Sequence, residues 1–317
     1  MKALSIDLGG THATCAVIDD REILDFEVVD TNAARGLASV LPVFAATLRK
    51  LASKSGTPLS DFSGVGFSFC GIVNTAESRV TSTNQKYDDA TGIDLAAWAQ
   101  GEFGLKLRIE NDARMALLGE WYAGGAKGYG SVVMFTLGTG IGGAAMIDGK
   151  LLRGKHHQAG NLGGHFPALY NGRKCTCGAI GCAEAEAAGW SIPFVAKETP
   201  GYESSGLAKE PSINFECVFR LAAAGDPVAL AVRDRCIRIW SVNTVAAIHA
   251  FDPEIVIYGG GVMRSADVII PAIQQYVSDH AWTPWGKVQV RAAQLGNNAG
   301  LLGAVPLLAE GHAVGVA

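Results

Sequence analysis

Seven cysteines occur in this 317-residue chain, and three crowd into Cys175-Thr176-Cys177-Gly178-Ala179-Ile180-Gly181-Cys182. Upstream of that run, with nine residues between, stands His165. Three thiolates and one imidazole make a closed tetrahedral set, the donor chemistry of structural zinc. Gly178 and Gly181 let the chain fold back around an ion. A redox cluster is the competing reading, but no thioredoxin-type βαβ context surrounds it. An odd cysteine count, bunched in one place, also argues against a secreted disulfide framework. The expectation is a Cys3His structural Zn2+ site with no position left open for chemistry.

Three glycine clusters suggest phosphate and nucleoside chemistry. Asp7-Leu8-Gly9-Gly10-Thr11 follows an apolar run, and so does Gly138-Thr139-Gly140. Glycines let backbone approach phosphate oxygens, Thr11 adds a hydroxyl, and Asp7 can hold Mg2+ directly or through water. The P-loop pattern G-x-x-x-x-G-K-S/T is absent, and Gly9-Gly10 does not complete a dinucleotide fingerprint. Gly259-Gly260-Gly261 follows the apolar run Pro253 to Tyr258 and suits an adenosine lying against bare backbone. Each turn alone reads equally as an ordinary glycine hairpin; the three together favour a nucleotide.

A carboxylate stands between two expected elements. Glu110-Asn111-Asp112-Ala113 joins a strand over Leu105 to Glu110 to a helix over Asp112 to Tyr122. Phosphoryl transfer needs positioning, a cation and a base for the attacking hydroxyl, and Asp112 suits that base. Asn111 or Asp112 also suits a helix N-cap, so the residues alone leave both readings open.

The elements that must carry these groups include a repeat. Laid side by side without gaps, Leu8, Gly9, Ala16, Ile18 and Asp19 fall on Leu137, Gly138, Ala145, Ile147 and Asp148. Each copy reads strand, Gly/Thr turn, strand, which implies two related α/β domains facing a cleft. Helical spacing covers Leu37 to Ser53 and the regions 185–197, 212–224 and 226–251; Phe62 to Ser68 reads as a buried strand. Residues 154–183 are loop-rich, and 202–211 reads as a surface loop. Alternating strands and helices imply an α/β fold with mixed sheets.

Composition narrows the function. With 49% hydrophobic residues the chain can build a large core. A net charge of −4 and no long basic run exclude a nucleic-acid footprint. No stretch of about 18 apolar residues suggests a membrane span, and the N-terminus is too short in apolar length for a signal peptide. The cytoplasm is the expected location.

These motifs, in this order over nearly the whole chain, resemble the ROK family (repressor, open reading frame, kinase), and most closely its glucokinase-like sugar kinases. Asp7 to Thr11 matches the family's first phosphate motif, Thr136 to Gly143 its second, Ile257 to Val262 its adenosine motif, and Leu295 to Ala304 its C-terminal signature. The resemblance implies an actin-like ATPase (ribonuclease H-like) fold, with two α/β domains around a cleft. It places a small domain at 1–110 plus a C-terminal helix at 300–317, and a large domain at 111–299 with the zinc loop at 165–182. ATP and Mg2+ are implied as cofactors, contacted by Asp7, Gly9, Gly10, Thr11, Gly138, Thr139, Gly140, Gly259, Gly260 and Gly261.

The same resemblance makes Asp112 the base and Asn111 a sugar contact. Asn84, in Ser82-Thr83-Asn84, matches the family's Pro-Asn-Leu position, another sugar contact, with Thr83 in place of the proline. Ser68-Phe69-Cys70-Gly71 resembles a Gly-x-Pro-Gly turn, with Cys70 in the proline position; a plain buried thiol is the simpler reading of Cys70. The zinc pattern matches His-x9-Cys-x-Cys-Gly-x2-Gly-Cys-x-Glu, in which His165 also touches the sugar and Glu184 binds a sugar hydroxyl. By itself Glu184 also reads as a helix N-terminal charge. His156 and His157 read as solvated loop residues. One departure stands out: the family's Gly-Glu-x-Gly-His is here Gly160-Asn161-Leu162-Gly163-Gly164-His165. An amide donates as well as accepts, so Asn161 can read a different hydroxyl pattern.

The expected activity is phosphorylation of a hexose of the glucose type at its 6-hydroxyl. N-acetylmannosamine, allose and fructose are alternative acceptors. A sugar-responsive regulator is disfavoured, because the first phosphate strand begins at residue 3 and leaves no room for a helix-turn-helix. The expected partners are the hexose and ATP, without nucleic acid or membrane, in a homodimer.

Overall fold

A computed structural model describes residues 1–83 and 85–310. In chain order its strands and helices are β1 (Lys2–Leu8), β2 (His12–Asp19), β3 (Glu22–Asp30), α1 (Leu41–Lys54), β4 (Val65–Phe69), β5 (Gly71–Asn74), β6 (Arg79–Thr83), α2 (Leu95–Phe103), β7 (Leu107–Asn111) and α3 (Asp112–Ala123). There follow β8 (Val132–Leu137), β9 (Ile141–Ile147), β10 (Lys150–Leu151), α4 (Ala183–Ala187), α5 (Ile192–Glu198), α6 (Phe215–Ala223) and α7 (Pro227–Phe251). The described chain ends with β11 (Ile255–Gly259), α8 (Ala266–His280), β12 (Gln289–Ala292), α9 (Ala299–Leu302) and α10 (Ala304–Glu310). Residues 311–317, the end of the expected C-terminal helix, lie outside the described residues, and so does Asn84.

Contacts divide the chain into two compact units. The first comprises Met1–Gly128, Arg153–Asn161 and the chain from Gln294 onward; the second comprises Tyr129–Leu152 and Leu162–Ala293. Its first sheet has the order β3-β2-β1-β4-β7, with β1 antiparallel to β2 and parallel to β4. The sheet of the second unit runs β10-β9-β8-β11-β12, with β8 antiparallel to β9 and parallel to β11. The two orders correspond strand for strand, so the short sequence repeat marks a repeated sheet.

The copies differ by one residue in their hairpins. Leu8 faces Ala13, so four residues lie between them, whereas Leu137 faces Ile141 across three. The gap-free alignment therefore holds on the first strand and slips by one on the second, as a turn of different length requires.

Burial explains the strand sequences. β4 and β11 are buried at every position, which is why both read as continuous apolar or small runs rather than as alternation. Each unit has its own apolar core, built in the first around Phe44, Phe67 and Ile109 and in the second around Phe135, Trp240 and Tyr258. Close packing sets the small residues: a methyl on Gly66 of β4 would lie 2.4 Å from the Ala304 methyl of α10.

Several helix limits differ from the sequence expectation. α1 starts at Leu41, not residue 37, because Pro42 occupies its first turn, where a missing N–H is harmless. The helix expected over 185–197 is two, with the chain extended at Ala188 and Pro193 in the first turn of α5. The C-terminal helix is likewise two, α9 and α10, around Gly303. Residues 202–211 hold two short 3-10 turns, Tyr202–Ser204 and Leu207–Lys209.

The first unit extends past residue 110 for a polar reason. Glu120 of α3 is buried, and its carboxylate accepts the amides of Gln294 (2.9 Å), Leu295 (2.7 Å) and Gly125 (2.7 Å). That ties α3 to the chain's return before α9. Among the described residues, no helix is long and apolar enough to cross a membrane.

Candidate active site

In the first unit, chemistry gathers where β1, β4 and β7 end. Asp7 sits opposite Ser68 in the β1–β4 register, and Phe69 sits opposite Asn111 in the β4–β7 register. Asp7 is half-buried. Burial pushes its carboxyl up to about 6, and the neighbouring charge of Asp112 adds to the shift. Gly300 lets α9 come close to this group, for a methyl there would lie 2.7 Å from Asp7 Oδ2.

Asn111, not Asp112, caps α3. Its Oδ1 accepts from the amides of Ala113 (3.0 Å) and Arg114 (3.3 Å). Its Nδ2 donates to Gly71 O (3.1 Å) and to Asp112 Oδ1 (2.8 Å). Asp112 Oδ1 also accepts from the Ala113 amide at 2.8 Å. Among the described residues, Asp112 Oδ2 has no hydrogen-bond partner. Asp112 is exposed. The surrounding protein pushes its carboxyl above the ordinary range, while the Ala113 amide, the Lys86 ammonium and Asn111 act in the opposite direction.

The first glycine turn is tied down by its carbonyls. Tyr87 Oη donates to Gly9 O (2.6 Å), the Ala33 amide to Gly10 O (3.2 Å), and the Thr31 amide to Thr11 O (2.8 Å). No protein acceptor is found among the described residues for the amides of Gly10 and Thr11. Such free, adjacent N–H groups form an anion-binding concavity. Cys70, nearby, is a half-buried thiol pushed up to about 11 by burial, with the Asp112 charge adding to it. That keeps it protonated, in line with the plain reading.

A buried ion network carries the return segment of this unit. Glu110 and Arg114 are both fully buried and pair at 3.3 Å. Arg153 Nε donates to the other Glu110 oxygen at 2.7 Å and also reaches Glu310 at 2.8 Å. Arg114 donates to His157 O (3.1 Å) and Ala159 O (2.7 Å). Asn161 therefore follows a segment pinned to α3, the helix that Asp112 begins. Nothing in the sequence singled out Arg114 or Arg153: Glu110 stands four residues before Arg114, but the carbonyls that Arg114 holds and both partners of Arg153 are distant in the chain.

In the second unit the Gly138 turn has the same logic. The amides of Gly189 and Trp190 donate to Gly138 O (2.9 Å) and Thr139 O (3.0 Å). Among the described residues, the amides of Thr139 and Gly140 have no protein acceptor. Glu184 accepts the Ile141 amide at 2.9 Å, so one of its oxygens braces this turn. A cavity of about 940 Å³ adjoins Gly138 and Thr139; it is lined also by Phe215, Phe219, Val262, Arg264 and Gly261. Of the three consecutive glycines, Gly261 lines that cavity. Gly260 has φ 89°, and a methyl on it would lie 2.3 Å from Leu137 O.

His165, Cys175, Cys177 and Cys182 come together, with their ligand atoms all within 4.8 Å of one another. Cys175 Sγ lies 3.4 Å from His165 Nδ1, and Cys177 Sγ lies 3.7 Å from Cys182 Sγ. A tetrahedron with Zn–S bonds of about 2.3 Å separates thiolates by about 3.8 Å. The four residues fit such an ion. Gly178 (φ 96°) and Gly181 (φ 73°) make the left-handed turns that close the loop.

Comparison with known proteins agrees with this architecture. Glucokinase of Thermotoga maritima is 32% identical over 317 residues, covering 98% of each chain. The crystal structure of the ROK hexokinase from Thermus thermophilus superposes with a TM-score of 0.80 at 29% identity, covering 97% of each chain. A ROK family glucokinase from Streptomyces griseus, solved with glucose and AMPPNP, gives 0.78 at 28% identity over 98% of this chain and all of that one. The repeated sheets are those of the actin-like ATPase fold shared by these neighbours. A model of the ROK family matches residues 3–310, nearly every described position, and the chain belongs to that family.

Proposed function

We propose that this protein phosphorylates the 6-hydroxyl of a glucose-like hexose, with Asp112 as general base. The chain is an ATP-dependent sugar kinase, as its full-length similarity to glucokinases supports. The observation that carries the finer reading is the state of Asp112. Asn111 and the helix amide occupy Oδ1, while Oδ2 has no partner among the described residues.

The sugar hydroxyl oxygen attacks the γ-phosphorus and forms the new O–P bond. The bond from phosphorus to the β,γ-bridging oxygen breaks, and its electron pair leaves with ADP. The hydroxyl proton passes to Asp112 Oδ2. The free amides of the two glycine turns suit phosphate oxygens. The cavity beside Gly261 suits the adenosine, its aromatic and aliphatic walls replacing water on the base. Bound Mg2+ would neutralise phosphate charge, and Asp7 is the carboxylate suited to hold it.

The remaining assignments rest on the family resemblance. Asn111 and Asn161 contact the sugar, as do His165 and Glu184. Asn111 has all four positions of its side-chain amide taken, by the cap, Gly71 O and Asp112, so a sugar contact would replace one of those bonds. Zn2+ on His165 Nδ1 and the three cysteines would fix the loop that carries His165. The test is ATP-coupled turnover across glucose, mannose, allose, fructose and N-acetylated hexosamines. Release of ADP with glucose above the others is expected, and Asn161→Glu should reorder the panel. No release above background with any sugar would overturn the assignment.

A further inference from the structure

We infer that Lys86 is a phosphate ligand of the first glycine turn, its ammonium set to hold the terminal phosphoryl group of the nucleotide donor. This rests on the reading of Gly9-Gly10-Thr11 as a phosphate turn. A methyl built on Gly10 would lie 3.4 Å from Lys86 Cε and 3.6 Å from its Nζ. The end of the side chain thus stands over that glycine.

The backbone beside Lys86 is fastened to the same turn. Tyr87 is buried, its hydroxyl donates to Gly9 O, and its amide donates to Ala33 O at 3.1 Å. The Ala33 amide in turn holds Gly10 O. Gln85 and Tyr87 both have φ 57°, a left-handed pair that fixes the direction in which residue 86 leaves the chain.

Lys86 is half-buried, yet among the described residues it makes no hydrogen bond or ion pair. Its charge acts on Asp112 and on the Cys70 thiol without touching either. An ammonium without a direct partner among the described residues therefore stands over Gly10, whose amide, like that of the next residue Thr11, lacks an acceptor. The carboxylates of Asp7 and Asp112, which act on each other, are also here, beside the Cys70 thiol and the Tyr87 hydroxyl. A triphosphate brought to this turn meets carboxylate repulsion, which a compact lysine charge offsets.

Calorimetric titration of the full chain with Mg2+–ADP and with a Mg2+ complex of a non-hydrolysable ATP analogue tests this. Lys86→Ala should weaken the analogue by about 10- to 100-fold, as loss of a charge-assisted bond implies. ADP affinity, sugar affinity and Tm should stay near wild type, kcat should fall, and Lys86→Arg should recover most of the loss. Equal analogue affinity and kcat in wild type and Lys86→Ala would overturn the proposal and leave the phosphate turn standing. An equal loss for ADP and the analogue would also overturn it, as would a lowered Tm that Lys86→Arg does not restore. Failure of the wild type to bind either nucleotide would remove the phosphate-turn reading itself.

Discussion

Asn111 Nδ2 donates to Asp112 Oδ1 at 2.8 Å, while Asn111 Oδ1 caps the helix that Asp112 begins. One amide thereby fixes the helix start and the orientation of the carboxylate. Asp112→Asn should keep sugar and nucleotide affinity and lower kcat by about 10²- to 10⁴-fold, the usual range for a positioned base. Turnover and calorimetry on the same sample check it; near-normal kcat would refute the role.

The pH profile should show the same group. Protein around Asp112 raises its carboxyl above the ordinary value of 3.8. A base works only when deprotonated, so activity should rise with pH through that raised value and be lost below it. The acid limb of kcat/KM is expected above the range of a free aspartate. A limb at or below that range would contradict the assignment.

Metal content offers an independent check. The purified protein should carry one Zn2+ per chain, and Cys177→Ser should reduce that content. Sugar affinity should fall with it, because the loop bearing His165 loses its fixed geometry. Elemental analysis and sugar titration on the same preparation decide the matter. A metal-free sample that binds sugar as before would break the link between ion and pocket.

Arg114 should matter for stability and for substrate together. It is fully buried against Glu110 and holds the carbonyls of His157 and Ala159. Arg114→Met leaves Glu110 with Arg153, Thr75 and the Asn111 amide. The expected loss is about 3 kcal/mol in urea unfolding, the low end for a broken buried pair. KM for the sugar should rise as the segment before Asn161 loosens. Unfolding at an unchanged urea midpoint would show the pair to be unimportant.

The sequence by itself determined whatever depends on local spacing. Cys175, Cys177 and Cys182 lie close along the chain, so a ligand set could be read directly, and the structure brings His165 to it. The glycine turns and the strand–helix junction at Asp112 were legible because turn chemistry and capping are short-range. Even so, the bare residues could not say whether Asn111 or Asp112 caps α3. That choice depends on Gly71 O, supplied by a strand 40 residues away, which draws the Asn111 amide into place.

Tertiary structure alone decided the rest. Lys86 in its loop carries no motif; only the fastening of Tyr87 to Gly9 sets it over Gly10. Residues 153–161 read as the start of a loop near the zinc cysteines, but Arg114 and Glu110 hold them in the other unit. Buried charges must find partners wherever the chain offers them, and such pairings leave no periodicity to read. The one-residue slip between the two hairpins has the same character, since register is settled by the turn and by the neighbouring strands together.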